Sequence, residues 1–253
     1  LDDSQLTGTV KLAYHPNDNT LTYASFATGY KAGGTNTDRI LPSLSPLFDA
    51  EKSRSAEIGI KHDFEEYGVR VNAAAHYTQI SDFQATTFTG TGFNLQNAGD
   101  IIVKGVELEA TWLMTENIEL HAVASRTLAN FDEFKRGTCW VAYTWHTGID
   151  DPGRVEPNDP FCSRDGDRVG FEPQNSLSLM LNHYFEVGNY PASASIDYQY
   201  TGDVFLDDAN DPYKYADDFS LFNVRVSFTI PQWDSEIIAW SRNVFDEEYV
   251  ARS

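Results

Sequence analysis

The sequence VRVNAAAHY, at residues 69–77, decides the fold. Its apolar side chains recur at every second position from Val69 to Tyr77, and Arg70, Asn72 and His76 fall on the opposite side. A period of two is typical of a β-strand, because successive side chains of a strand point to opposite faces. This stretch therefore predicts a strand that separates an apolar from an aqueous environment.

The same alternation recurs along the chain and predicts ten strands, near residues 6–15, 20–31, 52–64, 69–84, 101–113, 118–130, 174–186, 191–205, 218–231 and 235–246. Short turns at 16–19, 65–68, 115–117, 187–190 and 232–234 alternate with long loops near 32–51, 85–100, 131–173 and 206–217. Turns at one end of a sheet and loops at the other are typical of an all-β, transmembrane antiparallel β-barrel of the outer membrane. A large soluble β-sandwich is the alternative, because its strands also alternate.

Composition excludes two classes of protein. The chain carries 18 Lys and Arg against 38 Asp and Glu, a net charge of −20, which disfavours binding to nucleic acid. Its longest apolar runs, residues 140–143 and 237–240, are far shorter than the roughly 20 residues that a membrane-spanning helix needs. Aromatic residues near strand ends instead predict interfacial girdles: Tyr23, Tyr30, Phe64, Tyr77, Phe83, Trp112, Tyr184, Phe185, Phe205, Phe219 and Trp240.

A series of motifs, in one order, resembles TonB-dependent outer-membrane receptors. Residues 23–36, YASFATGYKAGGTN, are similar to the strand and loop start that reads YASYSTGYKSGGFN in that family. Further segments similar to family motifs follow at 51–61 (EKSRSAEIGIK), 68–84, 97–99 (NAG), 104–109 (KGVELE) and 242–249 (RNVFDEEY). Each motif alone is weak, but their shared order along the whole chain is specific.

The resemblance implies that residues 1–253 are the C-terminal portion of a receptor barrel, about ten strands of a larger barrel of 22. Nothing in the chain resembles the N-terminal plug domain that contacts TonB. The closing strand that follows the NVFDEEY motif in the family is absent as well. An isolated ten-strand sheet would leave two bare edges in lipid, so we expect this portion to need the rest of the barrel.

The loop from Phe131 to Phe171 carries the candidate ligand-binding residues. Cys139 and Cys162 lie 23 positions apart without metal-ligand motifs, and they predict a loop disulfide that contributes roughly 3 kcal/mol. Such a bond requires an oxidising compartment. We expect the aromatic side chains to stack on a planar ligand and an arginine to neutralise its charge; the candidates are Trp140, Tyr143, Trp145, His146, Arg154, Phe161 and Arg164. An ordered surface loop whose aromatics pack on each other is the alternative.

Two further sets of residues carry weaker predictions. Asp207, Asp208 and Asp211 offer closely spaced oxygen ligands for Ca²⁺, although the run lacks the EF-hand pattern and also fits a solvated acidic loop. The six histidines form no metal-ligand or nucleophile motif, and Glu107 and Glu109 are expected to face the barrel interior. We therefore expect no catalytic residues and, apart from Ca²⁺, no cofactor.

The resemblance implies an outer-membrane receptor that binds a scarce extracellular ligand for TonB-energised uptake into the periplasm. A ferric siderophore is the expected ligand on family frequency, whereas the acidic loops also leave cobalamin or a carbohydrate open. The expected partners are outer-membrane lipid, lipopolysaccharide, TonB through the plug, and a small iron complex. The rival hypotheses are a self-contained ten-stranded barrel, acting as a surface hydrolase or adhesin, and a passive porin.

Overall fold

The protein is a ten-stranded antiparallel sheet whose strands pair in chain order. The computed structural model describes residues 4–37, 45–88, 93–140, 150–154, 156 and 161–250. The strands are β1 (Gly8–Asn17), β2 (Thr20–Lys31), β3 (Glu51–Phe64), β4 (Val69–Ser81), β5 (Asp100–Thr115), β6 (Ile118–Glu133), β7 (Asn175–Val187), β8 (Tyr190–Thr201), β9 (Phe219–Ile230) and β10 (Ser235–Ser241). All ten predicted strands are confirmed, and their bounds shift by a few residues.

Tight turns lie at one end of the sheet, which we call the turn end. Two of them contain a 3₁₀ turn, Glu65–Tyr67 and Pro231–Trp233. Gly68 closes the first with a φ of 62°, a left-handed conformation that glycine adopts without strain. The long connections 32–50, 82–99, 134–174 and 202–218 all emerge at the opposite end, the loop end. The predicted asymmetry between the two ends is confirmed.

The two faces of the sheet differ in polarity. Ile58, Ala75 and Val106 are consecutive register partners on β3, β4 and β5, and they lie on what we call the apolar face. On the opposite side, the polar face, Asn72 Nδ2 donates to Glu109 Oε2 at 2.9 Å. An outer-membrane barrel turns its apolar face to lipid and its polar face to the interior. The alternation read from residues 69–77 therefore corresponds to the lipid and interior sides.

Part of the predicted aromatic girdle is wrong, because some of its members lie on the polar face. The Tyr23 hydroxyl hydrogen-bonds Glu57, and the Lys11 ammonium lies 4.4 Å from the centre of the Tyr23 ring. Trp240 is on the same face by register. These rings have polar or cationic neighbours that lipid cannot supply. Phe64, Tyr77 and Trp112 do lie on the apolar face.

The main buried cluster lies at the loop end. Phe131 and Phe134 pack there with Ile101, Ala85 and Ala98. Phe83, another predicted girdle residue, packs against this cluster. The predicted loop at 85–100 contains a hairpin, Gln84–Phe88 with Phe93–Asn97, which the sequence did not predict. Short strand pairs complete this end: Gly34–Thr35 with Leu47–Phe48, Gly137–Thr138 with Phe161–Cys162, and Val204–Phe205 with Tyr215–Ala216.

The sheet is open between β1 and β10, each of which pairs on one side only within the described chain. An unpaired edge in hydrocarbon leaves backbone N–H and C=O groups unsatisfied, at a cost of several kcal/mol each. A closed barrel has no such edges. In the described residues, no helix has the length and hydrophobicity to cross a membrane.

Candidate functional site: the loop layer

The connections at the loop end form one ordered layer. We define this loop layer as the described residues 32–37, 45–50, 82–88, 93–99, 134–140, 150–154, 156, 161–174 and 202–218. Gln84 Nε2 donates to the backbone oxygens of Ala32 at 2.9 Å and Asp49 at 3.0 Å. Asn36 exchanges two hydrogen bonds with the backbone of Leu95, at 2.7 and 2.9 Å. Side-chain amides thus tie separate loops to each other.

The predicted disulfide is present and buried. Cys139 and Cys162 are joined with an S–S length of 2.06 Å, and they are 7% and 1% exposed. The short strand pair 137–138 with 161–162 contains Cys162 and ends next to Cys139, so backbone pairing and the covalent bond restrain the same stretch. The disulfide therefore fixes the base of the longest loop.

A buried ion pair lies beside the disulfide. Arg164 Nη2 donates to Asp151 Oδ2, and the two side chains are 2% and 0% exposed. Asp151 also accepts hydrogen bonds from the backbone N–H groups of Trp140, at 2.9 Å, and Gly153, at 2.8 Å. Arg164 Nη1 lies 3.2 Å from Asp167 Oδ2. Two buried charges and two backbone amides are paired in one cluster, although Arg164 Nε is buried without a partner among the described residues, so either charge alone would be costly to bury.

The same cluster connects the disulfide loop to the acidic loop at 206–217. The backbone oxygen of Ala209 accepts from Trp140 Nε1 at 2.6 Å and from Arg164 Nη1 at 2.7 Å. Asp208 Oδ1 accepts from the Gly170 N–H at 2.8 Å. Three hydrogen bonds therefore link the two loops.

The structure brings four of the seven candidate ligand-binding residues into this cluster. Trp140 is half-buried, and Phe161 is buried with the Arg136 guanidinium 4.2 Å from its ring centre. Arg154 Nε donates to Asp150 Oδ1 at 2.8 Å. Tyr143, Trp145 and His146 lie outside the described residues. The contacts of Phe161 and Arg164 favour a role in holding the loop, and ligand binding by the candidate set stays a prediction.

Two exposed residues of the loop layer were missed by the sequence reasoning. Arg136 lies at the surface over Phe161, and Tyr213 is 62% exposed. The closeness of Arg136 to Cys139 was the available signal, since a residue beside a disulfide is held in place. Tyr213 lies within the acidic loop, where only the carboxylates were considered as ligands. Both present side chains that are common at binding surfaces.

The three aspartates of the proposed calcium site are already engaged by protein groups. Asp207 Oδ2 accepts from Lys214 Nζ at 2.8 Å, and Asp211 Oδ1 accepts from the Tyr213 N–H at 2.9 Å. Asp208 accepts from the Gly170 N–H. Within the described ranges, the one group of three side chains close enough to share a metal is Cys139, Asp151 and Cys162, whose sulfur atoms are consumed by the disulfide. Calcium binding stays a prediction that these contacts do not favour.

Two aspartates in the loop layer have shifted pKa values of opposite sign. The hydrogen bond from Arg168 Nη1, at 2.6 Å, lowers the pKa of Asp203. Burial raises the pKa of Asp208, because a low-dielectric environment disfavours the ionised carboxylate. The loop layer thus contains one carboxylate held in its charged form, Asp203, and one for which charge is costly, Asp208.

Comparison with known proteins identifies the family. The family model described as TonB dependent receptor-like, beta-barrel matches residues 1–244. The pesticin receptor of Yersinia pestis is 35% identical over 114 residues, which cover 44% of this chain and 16% of the relative. This chain therefore spans a small part of that receptor's length.

Solved structures have the same fold. The ferric yersiniabactin uptake receptor FyuA from Yersinia pestis superposes with a TM-score of 0.71 at 22% identity, over 98% of this chain and 33% of that one. BauA, the ferric preacinetobactin receptor from Acinetobacter baumannii, gives 0.68 at 14% identity, over 96% and 32%. The chain belongs to the β-barrel family of TonB-dependent receptors, proteins of the Gram-negative outer membrane.

Proposed function

We propose that the receptor containing this chain binds a ferric siderophore at its loop layer and moves it into the periplasm with energy relayed by TonB. Family membership supports the transport class. The named ligands of FyuA and BauA, both ferric siderophores, support the ligand class. The observation that carries the proposal is the interlocked loop layer at the extracellular end of the barrel, because binding residues are usually placed on loops held by a rigid scaffold.

The loop layer presents aromatic and cationic side chains that are already fixed before a ligand binds. Trp140 is held through its indole N–H, and Arg136 is held by stacking on Phe161. A side chain that is fixed before the ligand arrives loses less conformational entropy on binding. We propose that Trp140 and Arg136 face the ligand and that Arg164 and Asp151 keep the surface in shape.

The remaining domains of the receptor are also a proposal. We infer that further strands pair with the open edges of β1 and β10 to close a barrel of 22 strands, and that a plug domain occupies its interior and contacts TonB. The two edges that remain unpaired in the described chain support this arrangement. They also argue against the self-contained ten-stranded barrel, which would pair β1 with β10.

A binding experiment on the purified full-length receptor tests the proposed ligand class. Ferric yersiniabactin is the first probe, ferric preacinetobactin the second, and cyanocobalamin the control, with tryptophan fluorescence as the readout. We expect saturable quenching by one ferric siderophore and none by cyanocobalamin. Quenching by cyanocobalamin alone would move the assignment to cobalamin uptake, and no response to either iron complex would contradict the proposal.

A matched pair of variants tests the binding surface. Trp140→Phe removes the indole N–H that donates to Ala209, and Arg136→Gln removes the exposed cation. We expect both variants to bind the ferric siderophore more weakly. Lys135→Gln is the control, because Lys135 is also exposed but pairs with Glu133 at 2.6 Å. Equal weakening in all three variants would contradict the proposed role of Trp140 and Arg136.

A further inference from the structure

Four cationic side chains lie on the apolar face near the loop end. Lys52 and Arg54 are two residues apart on β3, Lys104 is on β5 and Arg126 is on β6. All four are exposed, and each lies at an even-numbered position, as do the residues of its strand that form the apolar face. We call these four residues the basic patch.

Strand register gathers the basic patch into one sector of the sheet. Lys104 is the register partner of Leu128, and Arg126 is the partner of Val106. Lys104 and Arg126 are therefore diagonal neighbours across β5 and β6, about 7 to 8 Å apart. Lys52 and Arg54 lie one strand beyond β4 and are roughly 7 Å from each other along β3. Four positive charges thus share a small area in a chain of net charge −20.

The basic patch lies at the outer boundary of the apolar band. From Trp112, near the turn end of β5, to Lys104 is eight residues, or roughly 27 Å along the strand. With a strand tilt of about 40°, this is roughly 20 Å along the membrane normal, close to the height of about 25 Å of a lipid-facing band. The patch is therefore at the level of the lipid headgroups on the side of the long loops.

Protein groups do not neutralise the basic patch in the described part of the chain, where none of the four cations has an ion pair. On the polar face, by contrast, Arg70 pairs with Asp63. The acidic side chains Asp100 and Glu133, which are register partners beyond a bulge in β6, lie farther toward the loop end than the patch. Asp100 already accepts a hydrogen bond from the Asp82 N–H at 3.3 Å.

The membrane itself is the partner that can reach the basic patch. Strands β3, β5 and β6 are interior strands of the sheet, so further strands added at β1 and β10 cannot cover them. Apolar side chains continue directly below the patch, among them Ile58, Val106 and Leu108, which are 64%, 54% and 48% exposed. The partner that fits is an amphiphile with phosphate groups above acyl chains, since Lys and Arg bind phosphate through charge-assisted hydrogen bonds.

We propose that the basic patch binds the phosphate groups of lipid A, the phosphorylated glycolipid anchor of lipopolysaccharide in the outer leaflet. Its acyl chains lie against the apolar surface formed by Ile58, Val106 and Leu108. This site is on the lipid side of the barrel and is separate from the loop layer. It orients the receptor in the membrane without contacting the transported ligand.

Native mass spectrometry of the purified full-length receptor, titrated with diphosphoryl lipid A, tests the proposal. The control ligand is the same lipid A with both phosphates removed. We expect the wild type to bind the phosphorylated form at least tenfold more tightly. The variant Lys104→Gln/Arg126→Gln should lose about thirtyfold, from roughly fivefold for each charge near a membrane surface.

The matched control variant is Lys11→Gln/Lys61→Gln, which removes two cations from the polar face and should leave lipid A binding unchanged. Heat-modifiable mobility shows that each variant is folded, and Lys104→Arg should retain binding. Equal affinity for phosphorylated and dephosphorylated lipid A would overturn the proposal. Unchanged binding by Lys104→Gln/Arg126→Gln, or an equal loss in the control variant, would overturn it as well. The same holds if inorganic phosphate saturates the patch at the same concentration as lipid A, because the acyl chains would then contribute nothing.

Discussion

Removing one partner of the buried Asp151 and Arg164 pair should open the disulfide loop. Asp151→Asn keeps the shape of the side chain and an oxygen that can accept from the Trp140 N–H. It leaves the Arg164 guanidinium, 2% exposed, beside a neutral amide. Breaking a buried ion pair from one side costs about 3 to 5 kcal/mol, because the remaining charge loses its buried partner. The lower value applies here, since the partly exposed Asp167, 3.2 Å from Arg164 Nη1, still compensates part of the charge. A loss of about 3 kcal/mol corresponds to a rise of roughly a hundredfold in the population of the open loop.

Reduction of the Cys139 and Cys162 disulfide under native conditions measures this opening. The bond is buried, so dithiothreitol reaches it only when the loop opens, and the rate of reduction follows the open population. The full-length receptor in detergent is incubated with dithiothreitol, free thiols are labelled with a maleimide at timed intervals, and the peptides are quantified by mass spectrometry. We expect Asp151→Asn to be reduced about a hundredfold faster than the wild type.

Two variants separate a buried-charge penalty from a general effect. Asp150→Asn changes the neighbouring residue, whose side chain is 56% exposed and pairs with Arg154 at the surface, so its reduction rate should hardly change. Asp151→Asn/Arg164→Met removes the orphaned charge and should be reduced more slowly than Asp151→Asn. Equal rates for Asp151→Asn and the wild type, or for Asp151→Asn and Asp150→Asn, would refute the reasoning.

Three further predictions concern the same layer. Gly153→Ala should accelerate disulfide reduction, because the added methyl group would overlap the backbone oxygen of Ser163, which cannot move aside as a side chain can. Gly166→Ala is the control, because its methyl group meets open space, although the φ of 83° at Gly166 adds backbone strain. Asp208→Asn should slow hydrogen exchange in the acidic loop at pH 7, because the raised pKa of Asp208 means that its ionisation destabilises the folded loop. The difference from wild type should vanish as the pH falls below about 3.9, the ordinary pKa of an aspartate, where Asp208 is protonated in both states. A difference that grows at low pH would contradict burial as the cause of the shift. Removing Ca²⁺ with a chelator should leave exchange in residues 206–217 unchanged, because Asp207 is already held by Lys214; faster exchange that added Ca²⁺ reverses would restore the calcium prediction.

Strand positions were predictable because they depend on local pattern. The alternation from Val69 to Tyr77 and the turn at Gly68 are both encoded within a few residues, and the structure reproduces them. A period of two fixes which side chains share a face wherever the apolar set is unambiguous. The ten strands and the ends at which they turn follow from the same rule.

The face of several aromatic residues was not predictable. In β2, Leu21 and Tyr23 have one parity while Ala24 and Phe26 have the other, so hydrophobicity alone does not choose between them. The register places Phe26 on the apolar face and turns Tyr23 toward Glu57 on the polar face. A tyrosine ring suits both a lipid interface and a hydrogen-bonded interior.

The arrangement of the loop layer depends on contacts between distant residues, and this limited its prediction. Arg164 contacts Asp151, 13 positions away, and Ala209, 45 positions away. Sequence spacing predicted the disulfide but not these partners, so the contacts that hold Arg164 in the loop were not foreseen. A buried structural arginine and a ligand-binding arginine look alike in one sequence.

Uptake of radioactive iron by living cells tests the central claim most directly. Cells expressing the full-length receptor as their only siderophore receptor are supplied with ⁵⁵Fe-yersiniabactin and ⁵⁵Fe-preacinetobactin, with and without a functional TonB. We expect cells to accumulate iron from at least one complex, and to lose this uptake when either the receptor or TonB is removed. Accumulation that persists without TonB, or none from any ferric siderophore while the receptor is correctly inserted in the outer membrane, would contradict it.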